Sequence, residues 1–346
     1  MLNSYVEIYK YVKKSPTVNV VFFSRTETVE WIVLSLEEVQ ESESFSLYEI
    51  DYFGKNGALE FIKLVLEDNG DISFRTHTDP FYNVVDRIFE VIGNGLGIPS
   101  QEIWDREMSR SFIGYSPVLQ TIGNYLTGQN YIEIQNAFNG NGEKGGLNVI
   151  SNFIYALLQR EQRKVIESLK GSMNYPIGFD KWDSVYSPEV QLKCIVTYLD
   201  SGYDPTSIIQ FVQGEPWLEN AYMEAVTQFL PNHPFIRKGK FASVSFKDYS
   251  IAYLLSLKDY RDEALEIIRK SDYNFSPLFA GYYSKMSNKK CLGVHAGLIY
   301  DSISSKLQYG NSQLLTVSKE ENEEYSLNIS YMDGDDEISN FSFDCM

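Results

Sequence analysis

Three side chains of this sequence have the types and spacing of a hard-metal or acid–base site. His77 and Asp79 lie two residues apart in the segment RTHTD, and Asp51 closes an earlier apolar run. An imidazole flanked by carboxylates is an oxygen-rich donor set that suits a divalent cation. The carboxyl edge of a strand, where this reading puts His77, is where open α/β sheets gather their ligands. Asp51, His77 and Asp79 are therefore the candidate catalytic and metal-ligating residues. The same residues also have a plainer reading. Asp79 before Pro80 has the form of a helix N-cap followed by proline in the first turn, and His77 is then a polar strand end.

A second chemistry is suggested by Gly140, Gly142 and Gly145, spaced G-x-G-x-x-G between the apolar run YIEIQNAF and a long helical stretch up to Gly171. Between a strand and a helix, such a loop holds phosphate on free backbone N–H groups, which makes the three glycines candidate cofactor-binding residues. The fingerprint is incomplete. No strand follows with an acidic residue about 20 positions on for a ribose, and Lys144 precedes glycines rather than a Ser or Thr that would bind magnesium.

Other reactive types are sparse. Asp180 and Asp183 flank Trp182 and read as linker charges around an indole, and His233 sits in a loop between Pro231 and Pro234. His295, Cys194 and Cys291 fall in or beside helical patterns and read as packed side chains. No G-x-S-x-G nucleophile turn occurs.

The elements that would position these residues alternate in the first half. VNVVFF (18–23), SFSLYEIDYF (44–53) and DISFRTH (71–77) have the composition of strands, and TETVEWIVLSLEEV, GALEFIKLVLEDNG and DPFYNVVDRIFEVIGNGLG have helical period. That alternation predicts an α/β fold with an N-terminal, mostly parallel, Rossmann-like sheet and flanking helices over residues 1–170. A linker at 171–186 leads to an α+β domain at 187–346. It opens with helices capped at Ser187 and Asp204, has an alternating strand FASVSF at 241–246, a helix at 294–307, and closes in a C-terminal hairpin with a frayed acidic tail.

Composition narrows the function. The net charge of −17 repels nucleic-acid backbones and argues against a broad DNA- or RNA-binding face. The basic groups at Lys13/Lys14, Arg160/Arg163/Lys164 and Arg237/Lys238/Lys240 read as solvated faces. Three scattered cysteines, no secretory leader pattern and no run of roughly 18 apolar residues predict a cytoplasmic protein with no membrane span. The 25 tyrosines and 21 phenylalanines exceed what a core needs and suit contact surfaces.

In layout the chain is similar to the DHH-type phosphoesterases: strand ends at Asp51 and His77, the linker NYPIGFDKWD, and a final YSLNISYMDGDDEIS segment. That resemblance would imply a metal-bearing parallel-sheet domain and a smaller substrate domain. The chain departs from the family at H-x-D-x-D, at the Asp-His-His expected over Thr76–Thr78, and at the late G-G-G-H, so no family is assigned. The expected function is an acidic, non-catalytic interaction or regulatory protein, working through a protein partner or self-association. The alternative is a metal-dependent hydrolase, or a binding protein, for a nucleotide or other phosphate-containing small molecule.

Overall fold

A computed structural model describes Glu7, Ile8, Lys10, Tyr11, Lys14 and residues 51–140, 142–172, 179–201, 204–212, 218–257, 259–270 and 278–286, together with the backbone of 313–319, 325–333 and 336–345. The segments at 18–23, 26–39, 44–50 and 294–307, with Cys291 and His295, lie outside the described residues. The chain divides into two compact units, Met1–Asp51 and Tyr52–Met346.

The second unit is mostly helical, and every strand pair among the described residues is antiparallel. The expected parallel, Rossmann-like sheet is therefore wrong, and particular residues show why. Asp71–His77 is not a strand: the Asp71 carboxylate accepts the N–H of Ser73 at 2.9 Å and of Gly128 at 2.8 Å. That side-chain turn starts a 3-10 turn at Ser73–Arg75, in which only Phe74 is buried.

YIEIQNAF is not a strand either, but part of a helix, Tyr131–Gly140. Tyr131, Ile134 and Phe138 are buried at helical spacing while Ile132 and Glu133 are exposed. The Asn130 side chain accepts the N–H groups of Ile132 and Glu133 and donates to the Glu133 carboxylate. A cap of that kind outweighs the β preference of Tyr and Ile.

The described helices are α1 (Lys55–Asp68), α2 (Thr78–Gly95), α3 (Glu107–Ile113), α4 (Ser116–Leu126), α5 (Tyr131–Gly140), α6 (Gly142–Ser172), α7 (Pro188–Asp200), α8 (Glu219–Phe229), α9 (Val244–Ser256), α10 (Arg261–Lys270) and α11 (Leu278–Met286). Helix α6 is the spine. Its buried stripe Ile150, Phe153, Ile154, Leu157, Leu158, Val165 and Leu169 packs against α2, α4, α7 and α8. One hydrophobic cluster runs from Ala58 to Tyr283.

Stops and starts follow local chemistry. Helix α2 gives way to Gly97 at φ 71°, and α4 to Gly128 at φ 69°. Ser187 caps α7 by accepting from Val190 N, with Pro188 in the first turn, and Asp204 caps the 3-10 segment Pro205–Phe211 through Thr206 N.

FASVSF also departs from expectation. Its first residue pairs in a two-residue hairpin, β1 (Ile236–Arg237) with β2 (Lys240–Phe241), whose turn residues Lys238 and Gly239 both have positive φ. Ser243 then caps α9, which is buried nearly all round through Phe246, Tyr249, Ile251, Ala252, Leu254 and Leu255. A helix with no polar face has no amphipathic period to read.

Near the end of the chain, β3 (Gln313–Lys319), β4 (Tyr325–Asp333) and β5 (Asp336–Cys345) form an antiparallel sheet in that order. The expected frayed tail is corrected: residues 336–345 form its third strand. No helix among the described residues is long and apolar enough to cross a membrane.

Candidate functional site

Of the residues expected to bind metal, His77 and Asp79 sit at the start of α2. His77, at the edge of the 3-10 turn, is exposed; its Nδ1 lies 3.0 Å from Thr76 Oγ1 and 3.2 Å from the Ser73 carbonyl. It is the N-cap of α2, with its own carbonyl accepting from Phe81 N at 3.0 Å. Asp79 is exposed in the first turn of α2, where a carboxylate complements the helix dipole. Asp51 is exposed and belongs to the first unit. Among the described residues no three His, Cys, Asp or Glu side chains converge as a metal site.

The glycine candidates are also placed differently from a phosphate loop. Gly140 ends α5, Gly142 opens α6 and Gly145 lies within its first turn. The segment before them is a helix, so the strand–loop–helix geometry that makes this spacing a dinucleotide fingerprint is missing. Asp180 and Asp183 are exposed around a short 3-10 turn (Lys181–Ser184), and Trp182 lies edge-on to Phe179 under the Lys170 ammonium at 4.8 Å.

His233, expected in a loop, is the buried one of the two described histidines, with 1% of its surface exposed. Its Nδ1 accepts from Phe235 N at 3.1 Å, because a backbone N–H can only donate. The proton therefore sits on Nε2, which donates to Gln191 Oε1 at 3.1 Å. Gln191 spends both amide hydrogens on the carbonyls of Leu158 and Tyr186, at 2.9 and 2.8 Å. These five residues tie α6, α7 and the segment before β1 together. Burial pushes His233 down to about 3, against the opposing pull of the Glu161 carboxylate. Such a group is a structural neutral imidazole rather than a proton shuttle working near neutrality. Cys194, on the same helix as Gln191, is buried, and burial pushes its thiol up to about 12.

The arrangement with binding character lies elsewhere, in a cleft of about 480 Å³ formed by α7, the 3-10 segment Pro205–Phe211 and α10. Helix α7 contributes Lys193, Thr197 and Asp200 from one face, and α10 contributes Glu263, Glu266 and Ile267 from one face. The floor is aromatic. The Tyr260 hydroxyl is hydrogen-bonded to Thr197 Oγ1 at 2.9 Å, and its ring meets Phe211 edge to face at 5.7 Å and 72°. Asp259 completes the rim, so four carboxylates and one ammonium line the opening. Burial raises the Tyr260 hydroxyl despite its bond to Thr197, and Glu263 and Asp200 add to the rise through their charge.

Aromatic faces under a carboxylate rim attract a cation carried on an apolar stem. The volume is that of a small-ligand or side-chain site. None of these residues stood out in the sequence. The usable signals were the i, i+4, i+7 set Lys193/Thr197/Asp200 and the i, i+3 pair Glu263/Glu266, both of which also describe ordinary solvated helix faces. No protein-family model, curated protein or solved structure matches the chain.

Proposed function

We propose that this chain is a non-catalytic interaction protein that holds a basic segment of a protein partner in the cleft between α7 and α10. The observation that carries the reading is the pairing of a Tyr260–Phe211 floor with the carboxylates of Asp200, Asp259, Glu263 and Glu266. Lysine and arginine side chains match both parts: the stem lies on the rings and the charged head meets the rim. The net charge of −17 draws a basic partner in from solution and speeds its encounter. Exposed Tyr125, Ile132 and Tyr155 offer further apolar contact area of the kind found at protein interfaces.

The test is binding of an acetylated, amidated peptide of alternating arginine and glycine, followed by fluorescence anisotropy. Against wild type, the pair Asp200→Asn and Glu263→Gln is expected to weaken binding about tenfold, since rim charges each contribute a modest electrostatic gain. The pair Glu60→Gln and Glu102→Gln removes the same net charge from α1 and the loop before α3, and is expected to leave affinity within about twofold of wild type. Equal losses in the two double variants, or no binding by wild type, would overturn the cleft as the site.

A further inference from the structure

The cleft already contains one cation of its own. Lys193 reaches from α7 to place its ammonium 5.4 Å from the centroid of the Tyr260 ring, and its Nζ is held by the Glu189 carboxylate at 2.7 Å. Only 19% of its side chain is exposed, although the residue lies on the wall of an open cleft. The ring beneath is fixed by the Thr197 hydrogen bond and by Phe211, so it cannot turn to offer an incoming group a second face at no cost.

We infer that Lys193 is a resident competitor within the cleft: it occupies the cation-binding face of Tyr260, and the basic side chain of a partner must displace it or share the ring with it. This inference rests on the proposed cleft reading and adds to it the residue that limits affinity. Lys193 stands in for the ligand: its ammonium lies 5.4 Å from the centroid of the ring that a partner's cation would cover. Glu189 sits one helical turn before Lys193 and gives the displaced ammonium a place to remain paired. The site therefore releases Lys193 without leaving its charge uncompensated. Lys193 also sets a threshold: a weak or singly charged cation gains little over the resident one, whereas a segment with several basic residues gains the ring and the rim together.

The experiment compares Lys193→Met and Lys193→Arg in the full chain, with the same arginine–glycine peptide as the probe. Methionine keeps the unbranched stem and removes the charge, and is expected to bind the peptide about threefold to tenfold more tightly, the range of an exposed cation–π contact plus one like charge. Arginine keeps the competitor and is expected to bind within about twofold of wild type. Thermal unfolding of each variant checks that the cleft is intact. Wild-type binding with no tightening in Lys193→Met would overturn the competitor role and leave the cleft standing. No binding by any of the three proteins would overturn both.

Discussion

Acidification offers the sharpest test of the buried network, because His233 is neutral inside the protein and readily protonated outside it. Burial takes its pKa from the ordinary 6.5 down to about 3, with the Glu161 carboxylate pulling the other way and Arg160 and Lys164 adding slightly to the depression. The folded-state value is the lower one, so between the two values the unfolded chain binds more protons and stability rises with pH. The contribution is fully present above 6.5 and is lost as the pH falls toward about 3. Each unit in that window is worth about 1.4 kcal/mol, so moving from about pH 7.5 to about pH 5 removes about 2 kcal/mol through this one group.

Glu161 makes the opposite test of specificity. Its carboxyl is held below the usual range even though burial pushes it up, because the Lys164 hydrogen bond and the charges of Arg160 and Lys164, joined by His233 only where that imidazole is protonated, outweigh burial. A depressed carboxyl is lost only at lower pH than the window chosen, so the two groups separate. The assay is urea unfolding at the two pH values for wild type and His233→Asn. The Asn side-chain oxygen can still accept from Phe235 N, and the variant does not titrate. Wild type is expected to lose about 2 kcal/mol more than the variant between the two conditions. Equal losses would refute the argument that burial keeps His233 neutral in the folded state.

Two further outcomes follow from packing. At Gly123 in α4, an added Cβ would lie 2.6 Å from Val65 Cγ1 and 2.7 Å from Val65 Cβ on α1, so Gly123→Ala forces the two helices apart and should destabilise by about 1–3 kcal/mol in thermal or urea unfolding. In a protein carrying Cys291→Ser and Cys345→Ser, Cys194 is expected to resist a thiol-reactive chromophore at neutral pH and to react only once urea unfolds the chain, since its thiol is buried and pushed up to about 12.

Helices with one apolar stripe were legible from their residues. The sequence GALEFIKLVLEDNG buries Ala58, Leu59, Ile62 and Leu66 as its period requires, and Ser187-Pro188 starts α7 where a cap followed by proline should. Short segments were not legible. Asp71–His77, Tyr131–Phe138 and Phe241–Phe246 all carry β-branched or aromatic residues, and over so few positions strand and helix periods cannot be told apart. What decided them was hydrogen bonding from neighbours: Asp71 to Gly128, Asn130 to Ile132 and Glu133, and Ser243 to Ser245.

The sequence by itself determined the charge, the poverty of histidine and cysteine, and the faces of the amphipathic helices, because these depend on residue identity and local period alone. Only tertiary structure decided which residues meet. His77 and Asp79 were drawn together by proximity in the chain and turn out to cap a helix and complement its dipole. Lys193, Asp200, Tyr260 and Glu263 are dispersed over some seventy positions of ordinary helix surface, and become a cleft because α7 and α10 bring their polar faces together over Tyr260 and Phe211. His233 changed most. A histidine between two prolines reads as a loop residue, and the packing around it makes it the buried hydrogen-bonded link joining α6 and α7, for the physical reason that a neutral imidazole with both nitrogens satisfied can be buried at little cost.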